Sequence, residues 1–349
     1  MAGWLAGAQD ASGCGGVSAY YDLRKRRWAA AYPETTGYII PTLFNYAQMS
    51  GREEFRERAV RMADWETEIQ LPEGGVRAGT MDADTLAPTI FNTGQALFGW
   101  ARALQETGNP CYAESLRRAA DWLVAVQDDD GAWRRFASPF AAHTLNTYNT
   151  RTAYGLALAS CALDDPRYLE AARRNVAWAL GRAEPNGWLP DNCLEDNERP
   201  LTHTIAYAIR GILEVSAAIG DDAGLADALR MARAVSAAQR ADGALPGRLD
   251  KRWRAAVRWS CVTGNAQMAI IWLRLAELSG ERDLGAAADR AIRFNASIVR
   301  LHDRDPGVRG GVKGSHPLDG DYMRYRYPNW AAKFFADAVM LREDPARVS

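Results

Sequence analysis

The chain has 349 residues, more than twice the roughly 150 residues usual for one domain, so we expect either two domains or one large repetitive domain. Its 42 Lys and Arg residues nearly balance 43 Asp and Glu residues, and the net charge of −1 excludes an overall basic surface for nucleic acid or an anionic membrane. Hydrophobic residues make up 48%, which is ordinary for a globular protein with a core.

The N-terminal segment predicts neither export nor membrane insertion. MAGWLAGAQDASGCGG lacks a basic start followed by a long apolar run, and no window approaches the ~18 apolar residues of a membrane span. We therefore expect a cytoplasmic protein. The five cysteines are scattered and form no C-x-x-C pair or Cys/His cluster, so the sequence predicts neither a disulfide framework nor a metal site.

A glycine turn recurs along the whole chain. It stands at Gly16, Gly75, Gly131, Gly187, Gly243 and Gly311, with steps of 56 to 59 residues and a last step of 68. Between these turns a polar or aromatic cluster opens an apolar run, at Gly37, Gly94, Arg151, His203, Gly264 and Asn329. A period of this length indicates an array of similar supersecondary units.

Each unit contains two helical patterns. The first, such as Gln95 to Gln105, is apolar on most faces, and the second, such as Glu54 to Glu68, is amphipathic. Trp65, Trp122 and Trp178 fall in one column of the amphipathic helices, which favours packing between hairpins over ligand stacking. Connectors such as SGRE, TGNP, DDP, IGDD and SGER supply residues that end one helix and cap the next.

Six helical hairpins predict an all-α fold. An open solenoid needs polar terminal repeats, whereas the first and last apolar segments here are as apolar and aromatic as the middle ones. We therefore predict that the hairpins close into an (α/α)6 toroid, with apolar inner and amphipathic outer helices, and that residues 1–349 form one domain.

In such a ring, the loops that lead into the inner helices gather at one end, where function should concentrate. Polar and aromatic side chains open the inner helices there: Tyr32, Glu34, Asn92, Gln95, His143, Asn146, Tyr148, Asn149, Arg151, His203, Tyr207, Asn265, Gln267, Asn329, Trp330 and Lys333. Amides, hydroxyls and aromatic rings suit a sugar, which needs many hydrogen bonds and stacks its apolar faces. For a single Thr or Asn, helix capping is an equal explanation.

Some of these residues carry more specific expectations. His203 and Tyr207 are four residues apart and project from one helix face, so they can serve one bound atom or satisfy each other in a core. Arg151 opens an apolar helix and must be paired inside the ring or directed at an anionic ligand. The acidic candidates are Glu34, Asp191, Asp319 and Asp321, and the last two lie in SHPLDGDYMRY, a long loop that is either a lid or a plain crossover.

Two short motifs resemble terpenoid enzymes. QDDDGAW, from Gln127 to Trp133, resembles the Q-x-x-x-G-x-W signature of triterpene cyclases and protein prenyltransferases, but its physical interpretation is a turn that ties an outer helix to the next unit. DADT, from Asp82 to Thr85, resembles the D-x-D-D-T proton-donor motif of class II terpene cyclases with one Asp missing.

The phrases YPETTGYIIPT, FNTGQALFG, YNTRTAYGLAL, THTIAYAIRG, TGNAQMAIIWLRL and YPNWAAKFFADA run from Tyr32 to Ala338. They resemble a bacterial family often encoded among exopolysaccharide-biosynthesis genes, which is similar to six-hairpin glycosidases and more distantly to toroid polysaccharide lyases and glucuronyl C5-epimerases. Members sometimes carry the label δ-aminolevulinic acid dehydratase, which the four lysines and the absence of a cysteine cluster contradict. The resemblance implies a toroid that acts on an oligo- or polysaccharide.

The first functional hypothesis is therefore removal of the C5 proton of a uronic acid residue, leading to elimination or epimerisation without a metal or organic cofactor. Asn149 and Arg151 would stabilise the sugar carboxylate, His203 or Tyr207 would act as base, and Tyr148 or Tyr207 as acid. Tyr32, Asn92, Gln95, His143, Asn146, Asp191, Asn265, Asp319, Asn329 and Trp330 would bind the sugar.

Three alternatives stay open. An inverting hydrolase would use Glu34 with Asp319 or Asp321 as acid and base. A non-catalytic component of a polysaccharide machine would bind a glycan without changing it. A single-domain class II terpene cyclase would use Asp82 or Asp84.

Overall fold

The computed structural model describes residues 1–84 and 86–345, and these form twelve α-helices. The helices are α1 (Ala2–Ser12), α2 (Pro33–Ser50), α3 (Glu53–Glu68), α4 (Ile90–Thr107), α5 (Pro110–Ala125), α6 (Thr150–Leu163), α7 (Pro166–Leu180), α8 (Thr202–Ile219), α9 (Asp222–Ala237), α10 (Val262–Ser279), α11 (Arg282–Ile298) and α12 (Asn329–Glu343). A 3₁₀ turn, Thr147–Asn149, precedes α6.

The helices form a closed ring of six hairpins. The inner helices α2, α4, α6, α8, α10 and α12 each pack on the next, and α12 returns to pack on α2. The outer helices α3, α5, α7, α9 and α11 follow their inner partners along the chain, whereas α1 packs outside α12. The predicted (α/α)6 toroid is confirmed, and its sixth hairpin joins the two ends of the chain. That residues 1–349 form a single domain stays a prediction, because 346–349 lie outside the described residues.

Five short strands in the described part of the chain link the longer loops. β1 (Tyr20–Asp22) pairs antiparallel with β2 (Arg27–Trp28) and with β5 (Arg326–Pro328), with Tyr21 opposite both Trp28 and Tyr327. β3 (Ser260–Cys261) pairs with β4 (Ser315–His316). The first sheet therefore joins the segment after α1 to the segment before α12.

Local sequence explains where the helices end. Asn109, Asp165 and Asp221 each accept a hydrogen bond from the backbone N–H two residues on, as N-caps do. Gly51, Gly108, Gly220 and Gly280 end inner helices in the left-handed conformation. The connectors TGNP, DDP and IGDD therefore cap the next helix as predicted, whereas Arg52 in SGRE and Glu281 in SGER make no side-chain capping hydrogen bond. The five connectors gather at one end of the ring, here named the short-connector end.

The longer loops, 13–32, 69–89, 126–149, 181–201, 238–261 and 299–328, gather at the opposite end, the long-loop end. Each contains a glycine with positive φ near the predicted glycine turn: Gly15, Gly74, Gly131, Gly187, Gly243 or Gly310. The Gln127 amide donates to the carbonyls of Gly131 and of Ala171 on the next outer helix. This confirms the interpretation of QDDDGAW as a structural tie.

Glycines set how closely the inner helices approach. A Cβ on Gly37 would lie 2.6 Å from Cα of Ala96, and a Cβ on Gly99 would lie 2.5 Å from the carbonyl oxygen of Gly37. A Cβ on Gly155 would overlap α4 to a similar extent. The same holds for a Cβ on Gly211 against α6 and for one on Gly264 against α8. Side chains at these positions would push neighbouring inner helices apart.

Within the described ranges, no helix is both long and apolar enough to cross a membrane.

We predict that Gly211→Ala destabilises the protein by about 2–3 kcal/mol, because the added methyl group would overlap the backbone of Thr150. Gly7→Ala is the matched control. It lies in α1 with no atom within 4 Å of the new Cβ, so it should raise the free energy of unfolding by about 0.5–1 kcal/mol. Urea denaturation measures both. Equal stability of the two variants would contradict the account of ring packing.

Candidate active site at the long-loop end of the ring

Glu34 brings a carboxyl group to the long-loop end. It is the second residue of α2, and the hydroxyl of Tyr32, just before the helix, donates a hydrogen bond to its Oε2. Burial raises the pKa of Glu34 to about 7, and the hydrogen bond from Tyr32 opposes this rise. The carboxyl group is therefore partly protonated at neutral pH. General acid–base catalysis is most effective when the pKa of the catalytic group lies near the working pH.

His203 lies opposite Glu34 in the ring, at the start of α8. Its Nδ1 is 2.9 Å from Oε1 of Gln267 on α10. Because an amide oxygen only accepts, we assign the proton to Nδ1, which leaves a lone pair on Nε2. Burial lowers the pKa of His203 to about 4, and the hydrogen bond with Gln267 opposes this fall. The imidazole is therefore neutral at pH 7 and can accept a proton.

Aromatic side chains connect the two groups around the ring axis. The ring centroids of Tyr32 and Trp330 are 6.3 Å apart, and Trp330 Nε1 donates to the Tyr322 hydroxyl at 2.7 Å. The Tyr322 ring in turn lies 5.3 Å from His203. Tyr322 belongs to SHPLDGDYMRY, so this loop does reach over the inner helices. We call Tyr32, Glu34, His203, Tyr322 and Trp330 the mouth.

A layer of aromatic rings lies beneath the mouth. It consists of Tyr38, Phe91, Tyr148, Tyr207 and Phe334, with neighbouring centroids 5.0 to 5.9 Å apart. Tyr207 lies 4.5 Å from His203 by ring centroids, which confirms that these two residues share a helix face. We name these five residues the aromatic layer. These residues come from four of the six inner helices, α2, α4, α8 and α12, and from the 3₁₀ turn before α6.

The Tyr207 hydroxyl occupies the centre of this layer. It interacts with Tyr38, yet it is buried without a regular hydrogen-bond partner. Burial, and then the nearby charge of Glu34, raise the pKa of both Tyr148 and Tyr207 above the usual range for tyrosine. Both hydroxyls therefore remain protonated at neutral pH, and they can donate hydrogen bonds but do not act as bases.

Arg151 does not share a compartment with Glu34 and His203, contrary to expectation. Its guanidinium carbon lies 4.1 Å from the Phe98 ring centroid and 5.3 Å from that of Tyr154. These cation–π contacts hold Arg151 on the far side of Tyr207, in a cavity that extends to the short-connector end. Asn149 is buried in the turn just before α6.

Several amides predicted to bind sugar make structural hydrogen bonds. Asn92 donates to the carbonyl of Arg77 and Asn329 to that of Ser18, so these two hold long loops to the inner helices. Gln95 donates to Phe91 one turn earlier in α4, and Asn265 donates to Ala291 of α11. Asn146 is buried, and its side-chain oxygen has no hydrogen-bond partner.

The remaining polar candidates lie outside the mouth. His143 bonds to the carbonyl of Cys193 and to Asn197, and so joins two loops. Asp191 pairs with Arg182 at 2.5 Å. Asp319 and Asp321 are exposed, although the ring of Tyr322 beside them lies close to His203. None of these carboxylates joins Glu34.

The DADT motif also lies on the surface. Asp82 and Asp84 are exposed, Asp82 accepts a hydrogen bond from Thr80, and Thr85 lies outside the described residues. An exposed carboxyl group lacks the apolar surroundings that a carbocation would need. Among residues 1–84 and 86–345, no group of three or more His, Cys, Asp and Glu side chains could hold a metal ion.

Sequence reasoning did not identify the roles of Tyr38, Phe91, Tyr322 and Phe334. Tyr38 stands four residues after Glu34, and the same spacing that related His203 to Tyr207 could have found it. Tyr322 reaches His203 from a loop 119 residues away along the chain, a distance for which the local pattern gives no signal.

No protein-family model matches the sequence, and no curated protein matches it. Solved structures do match the fold. An unsaturated glucuronyl hydrolase from Bacillus sp. GL1 aligns with a TM-score of 0.75 at 17% identity, covering 99% of this chain and 97% of that one. Cellobiose 2-epimerase from Bacillus thermoamylovorans aligns with a TM-score of 0.78 at 10% identity, covering 97% and 95%.

A D-mannose isomerase aligns with a TM-score of 0.71 at 12% identity, covering 97% of this chain and 95% of that one. At such low identities the likeness shows the fold, and it confirms the predicted resemblance to six-hairpin, glycosidase-like toroids.

We predict that Glu34 makes stability depend on pH. Its folded-state pKa of about 7 exceeds the ordinary value of 4.5, so its contribution is fully present below pH 4.5 and is lost as pH rises to about 7. Relative to Glu34→Gln, the wild type should lose up to about 3 kcal/mol of unfolding free energy between pH 4.5 and 8. Urea denaturation at both pH values measures this.

Glu73→Gln, which changes an exposed glutamate, is the control and should follow the wild type at both pH values. A difference between wild type and Glu34→Gln that does not change with pH would show that the Glu34 carboxyl ionises normally in the folded protein.

Proposed function

We propose that this protein is a carbohydrate-active enzyme that moves a proton at a sugar carbon, and that Glu34 and His203 are its acid–base pair. The observation that carries the proposal is the pairing of one carboxyl group whose pKa is about 7 with one neutral imidazole on opposite sides of the mouth. Two groups that face each other across a sugar can remove a proton from one face and return it to the other.

In this reaction His203 Nε2 takes the proton from a carbon next to a carbonyl. The C–H bond breaks, its electron pair becomes the C=C bond of an enediol or enolate, and the carbonyl oxygen gains negative charge. Glu34 then delivers a proton to the opposite face of the same carbon while the C=O bond re-forms, and this outcome is epimerisation. Alternatively, Glu34 protonates the neighbouring, former carbonyl carbon while the hydroxyl group of the first carbon passes its proton to the enolate oxygen and becomes the new carbonyl, and this outcome is isomerisation. In both cases the proton on His203 returns to Glu34 through solvent, which restores the starting form. Each positioned group contributes about 10²–10⁴ in rate.

The substrate this mouth favours is a sugar with a free carbonyl group. Abstraction of the C5 proton of a uronic acid builds charge on a carboxylate, and a nearby cation would have to stabilise it. Arg151, the predicted cation, lies beyond the aromatic layer. A uronyl residue is therefore a less favoured substrate, although its C5 proton is chemically equivalent. Trp330 and Tyr32 offer rings on which a sugar can stack.

The structural neighbours support sugar chemistry at the coarser level. The matched proteins are named as a glucuronyl hydrolase, a cellobiose 2-epimerase and a mannose isomerase. Two of these names denote rearrangement of a sugar without hydrolysis. Inverting hydrolysis needs a second carboxylate across a water molecule, and Asp319 and Asp321 are exposed while Asp191 is paired. The exopolysaccharide context and the cytoplasmic location stay predictions.

The test is proton exchange with solvent. A panel of aldoses, reducing disaccharides and uronic acids is incubated with the enzyme in D₂O, and NMR follows deuterium at carbon. We predict exchange with a reducing sugar, and a loss of about 10²–10⁴ in its rate for Glu34→Gln and for His203→Ala. Asp319→Asn and Asp321→Asn are the controls and should retain the wild-type rate.

New reducing ends without deuterium at carbon would establish hydrolysis instead. Glycan binding without any chemical change would support the non-catalytic alternative. Either result would exclude the proposed proton transfer.

We also predict a bell-shaped dependence of kcat/KM on pH. In the active form Glu34 is protonated and His203 is neutral. The form of the enzyme that starts the reverse reaction carries the same total number of protons on this pair. The rate should be level between pH of about 4 and about 7 and fall tenfold per unit above, as Glu34 ionises. Initial rates in constant-ionic-strength buffers measure this. A rate that keeps rising through pH 8 would instead assign Glu34 as the base.

A further inference from the structure

A cavity of about 480 Å³ occupies the interior of the ring on the far side of the aromatic layer. All six inner helices line it, and it reaches the short-connector end, where Gln105, Cys161 and Ala162 are exposed. Tyr38, Tyr207 and Phe334 of the aromatic layer form its inner end. The cavity therefore opens away from the mouth and is separate from the candidate active site.

Three cations meet at the inner end of this cavity: Arg151, Arg210 and Lys333. Lys333 Nζ is 2.5 Å from Oδ2 of Asp337, and Arg210 Nε is 2.6 Å from Oε1 of Glu214. Arg151 has no carboxylate within ion-pair distance among the described residues, and its Nε is buried without a hydrogen-bond partner. Three cations thus face two carboxylates, which leaves one positive charge without a counterion.

Burial of this uncompensated positive charge is energetically unfavourable. Burial lowers the pKa of Arg151 to about 10, and the neighbouring charge of Arg210 adds to this effect. Burial also lowers the pKa of Lys333 to about 8, where Asp337 opposes the fall and Arg151 adds to it. An anion beside them would stabilise the charged forms of Arg151 and Lys333. Arg102 differs, because Glu106 lies 2.8 Å away and balances it.

The other walls of the cavity indicate which kind of molecule could bring an anion to these cations. Between the cations and the opening, the walls are mainly apolar and include Leu104, Leu158, Ile270 and Leu341. A sugar would leave most of its hydroxyl groups unpaired against such walls, whereas a hydrocarbon body would fit them. The Tyr207 hydroxyl, which is buried without a regular hydrogen-bond partner, lines the same end of the cavity and can donate to a carboxylate.

We propose that this cavity binds an organic monoanion: a carboxylate on an apolar body, with the carboxylate on Arg151 and Lys333 and the body along the apolar walls. Guanidinium and carboxylate are planar and can form two parallel hydrogen bonds, and the single uncompensated charge matches one carboxylate. This site goes beyond the proposed function, because it lies at the opposite end of the ring and needs no sugar.

Calorimetric titration with octanoate tests the proposal. Octanoate should bind the wild type, and octan-1-ol, which has the same chain without the charge, should bind at least about tenfold more weakly. Arg151→Met keeps most of the side-chain volume but removes the charge, and it should lower the affinity for octanoate by at least about tenfold. Arg102→Met removes a cation of the same cavity that already has its counterion, and it should change the affinity less than threefold.

Labelling of Cys161 provides a second measurement that does not need the Arg151 variant to fold. In a Cys14→Ser, Cys111→Ser background, Cys161 is the remaining exposed cysteine of the described chain, and it stands at the opening. Octanoate should slow its reaction with a maleimide, and octan-1-ol at the same concentration should not. Sodium glucuronate should have no effect, because its polar body does not fit the walls.

Equal binding of octanoate and octan-1-ol would show that the cavity is merely apolar and would overturn the proposal. Unchanged octanoate affinity in Arg151→Met, or protection of Cys161 by glucuronate rather than octanoate, would overturn it as well. None of these results depends on sugar turnover, so failure of this proposal and failure of the proposed function can be told apart.

Discussion

The close approach of neighbouring inner helices is the constraint on which the rest of this structure depends. Gly37, Gly99, Gly155, Gly211 and Gly264 each bring a helix backbone against the next helix where a Cβ would overlap it. Because successive inner helices are held so near, the ring is narrow, and side chains from opposite helices meet on its axis. The aromatic layer and the burial of Glu34, His203 and Arg151 follow from this narrowness.

Burial acts differently on the two sides of the aromatic layer. On the mouth side it favours the neutral forms of both groups: the pKa of Glu34 rises to about 7, and that of His203 falls to about 4, so the imidazole carries no proton on Nε2 at neutral pH. On the cavity side it destabilises Arg151 and Lys333 in their charged forms, which prepares a site for an anion. Gln267 lines the cavity and also bonds to His203, so it connects the two compartments.

Much of the fold was predictable from the sequence because it repeats. The spacing of the glycine turns, the capping residues and the apolar first and last segments together indicate a closed ring of helical hairpins, and that ring is confirmed. The pairing of α1 with α12 was not predicted, since no local pattern shows that the first helix belongs to the last hairpin. Two glycines that marked the openings of the apolar segments, Gly37 and Gly264, also set contacts between inner helices.

The candidate site was predictable only in part. The spacing of His203 and Tyr207 within one helix gave their shared face, and the position of Glu34 at a helix start gave its location. Depth along the ring axis was not predictable, because it depends on contacts that the local pattern does not specify: Phe98 of α4 and Tyr154 of α6 hold Arg151 on the far side of Tyr207. Likewise, only the fold shows that Asn92 and Asn329 bond to loop carbonyls and that Asn265 bonds to a carbonyl of α11.

The central claim is that the closed ring buries the Glu34 carboxyl group beside Tyr32 and that no cation of residues 1–84 and 86–345 pairs with it. The most direct measurement is a ¹³C NMR titration of the glutamate side-chain carboxyl signals, with the Glu34 signal assigned by its absence in Glu34→Gln. The account predicts a midpoint near pH 7 for that signal. A midpoint near the ordinary value of 4.5 would contradict it.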